Sequence, residues 1–246
     1  MNGLRSALGL ARSLAIYYGR PWRQRRLAGF YAGLLRPGDL AFDIGAHVGN
    51  RARALRTAGA RVVAVEPQAP FAGFLRRTLP RDVTLIEAAA GAQVGTAHLA
   101  VSRLHPTVSS LAGLPGTVAE AEGFAHVRWD ARQQVAVTTL DALIAAHGRP
   151  AFVKIDVEGF EAEVLAGLSA PVPLVALEYL PQLPGAAAAA VRRLAGLGAY
   201  RFNAVEGEAL RFLWDDWRGA EETLAWLATR TPADGSGDLY ARWEDA

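Results

Sequence analysis

The chain has 246 residues, of which 51% are hydrophobic, enough for one large domain with a full core and too apolar for a disordered protein. It contains no cysteine, which excludes disulfides, thiolate nucleophiles and cysteine-based metal sites together. The formal net charge is only +2, so there is no global footprint for nucleic acid and no nucleic-acid partner is expected.

The charge is unevenly spread. No acid precedes Asp39, whereas Arg5, Arg12, Arg20, Arg23, Arg25, Arg26 and Arg36 do. Residues 1–36 therefore read as an Arg-rich helical extension and residues 37–246 as the main domain. Such a start suits an amphipathic helix covering the domain, a transit peptide, or a helix at a membrane surface. Arg12 interrupts the one candidate apolar stretch, so a secretory signal is not expected. No run approaches the roughly eighteen apolar residues of a membrane span. A cytoplasmic location is expected, with peripheral contact at the inner membrane surface as one reading of the arginines.

The main domain opens with an apolar strand, Leu40–Ile44, inside the string FDIGAHVGN (42–50). A glycine-containing turn leads to a helix over Val48–Ala58, and a second strand, Arg61–Val65, ends in Glu66. Glycine lets the backbone pass close to a bulky ligand, and an acid about twenty residues on is placed to bridge ribose hydroxyls. A dinucleotide site would want G-x-G-x-x-G so that a pyrophosphate can sit on the helix N-terminus. Here the pattern is Asp43-x-Gly45-x-x-x-Gly49, with a carboxylate that would repel a pyrophosphate and that suits an ammonium. S-adenosylmethionine carries an ammonium, a sulfonium and a ribose but no phosphate, so it is the expected cofactor.

Strand and helix keep alternating, as a parallel sheet with covering helices requires. Phe71–Leu79 reads as a helix, Val83–Ala88 as a strand running into small residues, and Gly95–Ser102 as an exposed strand. Leu104–Gln134 is the least periodic stretch, and a loop that long is usually a lid or binding loop. Thr139 is placed to cap a helix over Leu140–His147, ended by Gly148 and Pro150. The strand Ala151–Ile155 runs into Asp156, Glu158 and Glu161, an acid-rich carboxyl edge of the kind where open sheets bind ligands. Val172–Glu178 repeats that scheme, and a helix spans Ala186–Leu197. Tyr200–Val205 and Ala209–Trp214 read as an antiparallel edge pair, with a further short strand over Asp238–Arg242.

The strings FDIGAHVGN (42–50), VVAVEPQ (62–68), VAVTTLDALI (135–144) and VKIDVEGFEAEVLAGL (153–168) together resemble those of FkbM-type S-adenosylmethionine-dependent methyltransferases. The Arg-rich start and Gly237–Arg242 look like one bacterial subgroup. The resemblance implies an α/β, Rossmann-like class I methyltransferase fold: seven mostly parallel strands, the last antiparallel, with helices on both faces. It also implies methyl transfer to a hydroxyl oxygen of a sugar, glycolipid or secondary metabolite, a small-molecule or glycan acceptor. Where the family often has Asn in the glycine loop, this chain has His47.

Asp43, Gly45 and Gly49 are expected around the cofactor's amino-acid moiety, Glu66 on its ribose and Ala89 beside its adenine; His47, Asn50 and Pro67 are grouped with them. Asp156 is the first candidate base or a further cofactor ligand, against the alternative of a helix cap. His105, in the long loop, is the second base, since imidazole titrates near neutrality. Lys154, Glu158 and Ser109 are substrate candidates, and Glu161 reads as structural. Trp129, Trp214, Trp217, Trp226 and Tyr179 suit either sugar stacking or core filling. Asp156, Glu158 and Glu178 are able to converge, but no His/Asp metal spacing is present, so no metal is expected. The competing readings are an NAD-type dinucleotide oxidoreductase and a non-catalytic cofactor-binding protein of the same fold.

Overall fold

The computed structural model describes residues 2–101, 110–111 and 131–244. Two helices lead, α1 (Asn2–Tyr18) and α2 (Pro21–Ala32). Then come β1 (Leu40–Ile44), α3 (Asn50–Thr57), β2 (Arg61–Val65), α4 (Ala69–Thr78) and β3 (Val83–Ile86). Four further strands follow: β4 (Ala89–Ala90), β5 (Gly95–Val101), β6 (Ser110–Leu111) and β7 (Ala131–Thr138). The rest alternates α5 (Leu140–His147), β8 (Phe152–Ile155), α6 (Glu161–Ala166), β9 (Leu174–Tyr179), α7 (Pro184–Leu197), β10 (Tyr200–Glu206), α8 (Ala220–Ala228) and β11 (Gly237–Trp243).

The main sheet has seven strands in the order β3-β2-β1-β8-β9-β11-β10, parallel except for β11, which runs antiparallel to both neighbours. This is the expected α/β architecture. Strands β1, β8 and β9 are apolar almost throughout because both sheet faces are covered, as parallel sheets require. One face packs Phe42, Ile44 and Val63 against α5 to α8 through Leu143, Leu165, Val191, Leu194 and Leu227. The other packs Ala41, Val62 and Phe152 against α2, α3 and α4 through Tyr31, Leu55 and Leu75. Thr139 caps α5 as expected, its Oγ1 accepting the Ala142 amide at 3.0 Å.

Two expectations need correction. Ala209–Trp214 is not the partner of β10; β11 is, over the whole of Tyr200–Glu206. The Asn203 amide instead holds the backbone of Trp214, donating to its carbonyl at 2.8 Å and accepting its N–H at 3.1 Å. Together with one backbone bond, from the Leu213 amide to the Ala204 carbonyl at 2.7 Å, those side-chain bonds hold the segment to β10 without a continuous ladder, and Phe212 turns into an aromatic cluster with Phe30, Trp217 and Tyr240. The second correction concerns the long irregular stretch. Its end belongs to β7, which with β4, β5 and β6 forms a second, four-stranded sheet. Gln133 of β7 donates to the Pro67 carbonyl at 2.8 Å and accepts the Ala69 amide at 3.1 Å, which pins this small sheet to the turn after β2.

The N-terminal helices are built into the domain. Tyr31 of α2 is fully buried against Phe152 of β8, which itself stacks on Tyr240 of β11. Among the described residues no helix is long and apolar enough to cross a membrane. Replacing Tyr31 by Ala leaves a cavity between α2 and the sheet and is expected to cost about 3–5 kcal/mol in urea denaturation. A loss under about 1 kcal/mol would mean that α2 is a detachable extension.

Candidate active site

At the carboxyl ends of β1, β2 and β8 lies a cavity lined by Asp43, Gly45, His47, Asn50, Glu66, Pro67, Ala89, Asp156 and Glu158, among others. The cofactor candidates are thus brought together, with one exception. Gly49 is not part of the lining; it has φ +78°, and a Cβ there would meet the Leu75 side chain at 2.7 Å. Gly45 has a more local reason as well. It has φ +82°, and a Cβ would meet the Asp156 carbonyl oxygen at 2.0 Å. The glycine lets the β1 turn pass the end of β8, and so brings Asp43 and Asp156 into one wall.

Asp43 is completely buried, and both of its carboxylate oxygens lack a hydrogen-bond partner. Burial pushes its pKa up to about 6, with nearby Arg51 opposing. An unpartnered buried carboxylate at a ligand cavity is the complement of a cation, and it is ill-suited to a pyrophosphate. Glu66 is 2% exposed; its carboxylate accepts the His47 amide at 2.7 Å and the Gln68 amide at 2.8 Å. Burial nonetheless raises its pKa to about 7 against those two bonds. The carboxylate is held rigidly by the turn and keeps lone pairs for hydroxyl donors. His47 has φ +50° and sits between Tyr17 and Phe71, with ring centroids 5.4 and 4.1 Å away. Burial lowers its pKa to about 4, so it is a neutral ring near pH 7.

At the end of β8, Asp156 faces two cations, Arg51 Nε at 3.3 Å and Lys154 Nζ at 3.7 Å. Lys154 is wholly buried and does not line the cavity. Its Nζ donates to Asp238 of β11 at 2.8 Å, which occupies it as an internal partner in place of the expected substrate contact. Glu158 does line the cavity, in a left-handed conformation with φ +55°. Asp156, Glu158 and Glu178 converge, each offering an oxygen within 4.8 Å of the others. Burial, then the charge of Asp156, pushes Glu158 and Glu178 well above the usual carboxylate range. The trio, which the sequence marked as able to converge, has oxygen donors suited to a hard cation, but Asp156 is already engaged by two cationic side chains. Glu161 is structural as expected: its carboxylate accepts the Val157 and Gly159 amides, both at 3.2 Å, and fixes the turn leaving β8.

His105, Ser109 and Trp129 lie outside the described residues. The other aromatic candidates fill the core: Trp226 meets Trp214 and Tyr179 edge-on, and Arg218, Arg230 and Arg242 cover Trp214, Trp226 and Trp217. Tyr17, Arg51 and Phe160 also line the cavity, and sequence reasoning missed them. Phe160 stood in the KIDVEGF string and Arg51 next to Asn50, but Tyr17 carries no local signal because α1 reaches the site only through the tertiary fold. There Tyr18 donates to the Val48 carbonyl at 2.9 Å, and Gln24 donates to that of Asn50 at 3.0 Å.

A family model for the methyltransferase FkbM domain matches residues 43–228. The chain belongs to the FkbM methyltransferase family. Its cofactor is S-adenosyl-L-methionine, which the orphaned Asp43 carboxylate and the anchored Glu66 fit. Similar solved structures include a precorrin-6Y C5,15-methyltransferase from Geobacter metallireducens, at 15% identity over 89% of this chain and 87% of that one, TM-score 0.44. A TehB-like SAM-dependent methyltransferase from Corynebacterium glutamicum matches at 9% identity over 95% and 100%, TM-score 0.47. Magnesium protoporphyrin IX methyltransferase from Synechocystis, with bound SAM, matches at 13% identity over 96% and 84%, TM-score 0.46. No curated protein matches the chain.

The raised carboxyls give two opposed pH slopes. In the free protein Glu66 binds its proton more tightly than an ordinary glutamate, whose pKa is 4.5, so folding takes up protons and stability falls as pH rises from about 4.5 to about 7. Hydroxyl and ammonium donors need the ionised carboxylates, so affinity for S-adenosylhomocysteine should fall as pH drops through about 7 and then about 6. The expected slope is up to about tenfold per pH unit for each carboxyl. Calorimetric titration across this window checks it, and Glu66→Gln should flatten the upper part; a flat wild-type profile would contradict the assignment of these two carboxyls.

Proposed function

We propose that the protein transfers a methyl group to a hydroxyl oxygen of a small-molecule or glycan acceptor, a sugar, glycolipid or secondary metabolite. The observation that carries this reading is the carboxylate trio at the carboxyl ends of β8 and β9. An alcohol acceptor must lose a proton, and Asp156 lines the cofactor cavity as a candidate to take it, with Glu158 beside it in the lining and Glu178 converging on the pair. S-adenosylmethionine, when bound, supplies an electrophilic methyl group, so the protein's task is position and electrostatics.

In this reading Asp43 holds the ammonium, with Gly45 and Gly49 shaping the loop around it, and His47 and Asn50 complete that wall. Glu66 accepts the ribose hydroxyls beside Pro67, and the small residue Ala89 leaves room for the adenine. Asp156 accepts the acceptor's hydroxyl proton, while Arg51 and Lys154 keep its carboxylate oriented. Glu158 stands next to it on the acceptor side. His105 and Ser109 are proposed for the same reaction, as a second base and a substrate contact, on the family resemblance.

A second cavity, lined by Ile16, Arg23, Gln24, Arg26, Glu208 and Asp238, shares Tyr17, Asn50 and Arg51 with the first. It is our candidate entrance for the acceptor, since its polar lining leads toward Asp156 and suits a hydroxylated molecule. Asp156→Asn separates the roles of this residue. As the proton acceptor, it should lower turnover by about 10²–10⁴-fold while affinity for S-adenosylhomocysteine shifts by less than about threefold. Equal losses in the two measurements would make Asp156 a cofactor ligand and remove it as the base.

A further inference from the structure

The outer surface of the first two helices is not explained by methyl transfer. Among the described residues of α1, Gly9 and Ser13 are buried, and Leu10, Leu14, Tyr17 and Tyr18 are half-buried. The outward positions Leu8, Ala11 and Ala15, and Leu8, Arg12 and Ile16, fall three and four residues apart, on one exposed face that carries a single arginine among apolar residues. Leu8 is 57% and Ile16 49% exposed, and Trp22 at the start of α2 is 59% exposed. Among the described residues only two other large apolar side chains are exposed, Val94 and Leu213, so the exposed apolar surface concentrates on α1 and α2. The same segment holds seven arginines and no acid before Asp39. Arg25 and Arg26, three and four residues after Trp22, are exposed and make no ion pair among the described residues.

Outward leucine and isoleucine, an interfacial tryptophan and unbalanced arginine are the complement of an anionic lipid surface. We propose that the outer face of α1, with the first turn of α2, docks on an anionic bilayer. The apolar stripe enters the headgroup region, and Arg25 and Arg26 meet the lipid phosphates, each worth roughly a fivefold gain in partition near such a surface. Ile16 and Arg26 also line the second cavity, so the docked face borders the acceptor entrance. An acceptor carried in the membrane, such as a glycolipid, then reaches the site without crossing water. This last clause rests on the proposed function; the docking itself does not.

The test is flotation of the full chain with phosphatidylcholine vesicles, with and without phosphatidylglycerol, at low and high salt. Binding is expected to be about tenfold or more stronger with the anionic lipid and to weaken with salt. Leu8→Glu with Trp22→Glu, and separately Arg25→Glu, should each reduce it by about tenfold or more, while S-adenosylhomocysteine affinity stays that of the wild type. Retained donor affinity shows that the variants fold. Equal partition onto neutral and anionic vesicles, no vesicle binding, or binding insensitive to these changes overturns the proposal. Salt-sensitive binding to RNA or DNA without vesicle binding, or a concentration-dependent dimer lost in Leu8→Glu, overturns it in favour of that partner. Docking with no methylation of any hydroxylated acceptor would sink the proposed function and leave the docking standing.

Discussion

Lys154 is the chain's one lysine, and it is buried completely in the middle of the sheet. An ammonium there is tolerable only because Asp238 lies 2.8 Å away and Asp156 3.7 Å away. Arg51 of α3 closes the arrangement, facing Asp156 and Asp238 at 3.3 Å each. Two cations and two anions from β8, α3 and β11 thus neutralise one another inside the fold. Burial would drive Lys154 down and Asp238 up, yet the mutual charges hold Lys154 above and Asp238 below their ordinary values. Removing Asp238 strands the wholly buried Lys154 in low dielectric, a penalty of several kcal/mol. The knot therefore joins the last strand of the chain to the carboxyl end of β8, and the orientation of Asp156 depends on it.

The rest of the site is arranged around that point by steric economy. Gly45 gives up its side chain so that the Asp156 carbonyl can pass, and Gly49 does so for Leu75. The turn between β1 and α3 consequently runs with His47 and Gly49 at positive φ, which turns the His47 amide onto Glu66. One strained turn thereby sets three things together: the burial of Asp43, the fixed direction of Glu66 and the closeness of both to Asp156. The same turn is gripped from outside, because Tyr18 and Gln24 bond to the carbonyls of Val48 and Asn50.

What was legible in the sequence was local or marked by polarity. β1 and β2 were readable to the residue from apolar runs ending in Asp43 and Glu66, and α5 from Thr139 and Gly148. What was not legible depends on pairings far apart in the chain. Nothing near Tyr200 says that its partner strand begins at Gly237 rather than at Ala209; the choice follows from Asn203 taking up the backbone of Trp214 and from Asp238 having to reach Lys154, 84 residues away. Lys154 beside three acids reads as a substrate contact at the ligand edge of its strand, since only the sheet order brings Asp238 of the distant β11 to its ammonium. Tyr17 belongs to the site for the same reason: α1 is distant in sequence and arrives by packing.

The first helices carry two incompatible surfaces, and the distribution of side chains between them is informative. If α1 served only to cover the domain, its larger apolar residues would face inward, where each buried leucine or isoleucine contributes about 1.5–3 kcal/mol. Instead Ser13 is buried and Leu8 and Ile16 are exposed, with Leu10 and Leu14 only half-buried, while Tyr17 and Tyr18 make the contacts to the cofactor loop through ring and hydroxyl. Aqueous folding alone gives no return for that inversion, which a second, apolar environment on the outer side would provide. Because Tyr17 and Ile16 are adjacent on the same rigid helix, whatever holds the outer face also holds the wall of the cofactor cavity. An occupant of the outer face would therefore bear on the cofactor cavity through α1, the element common to both surfaces.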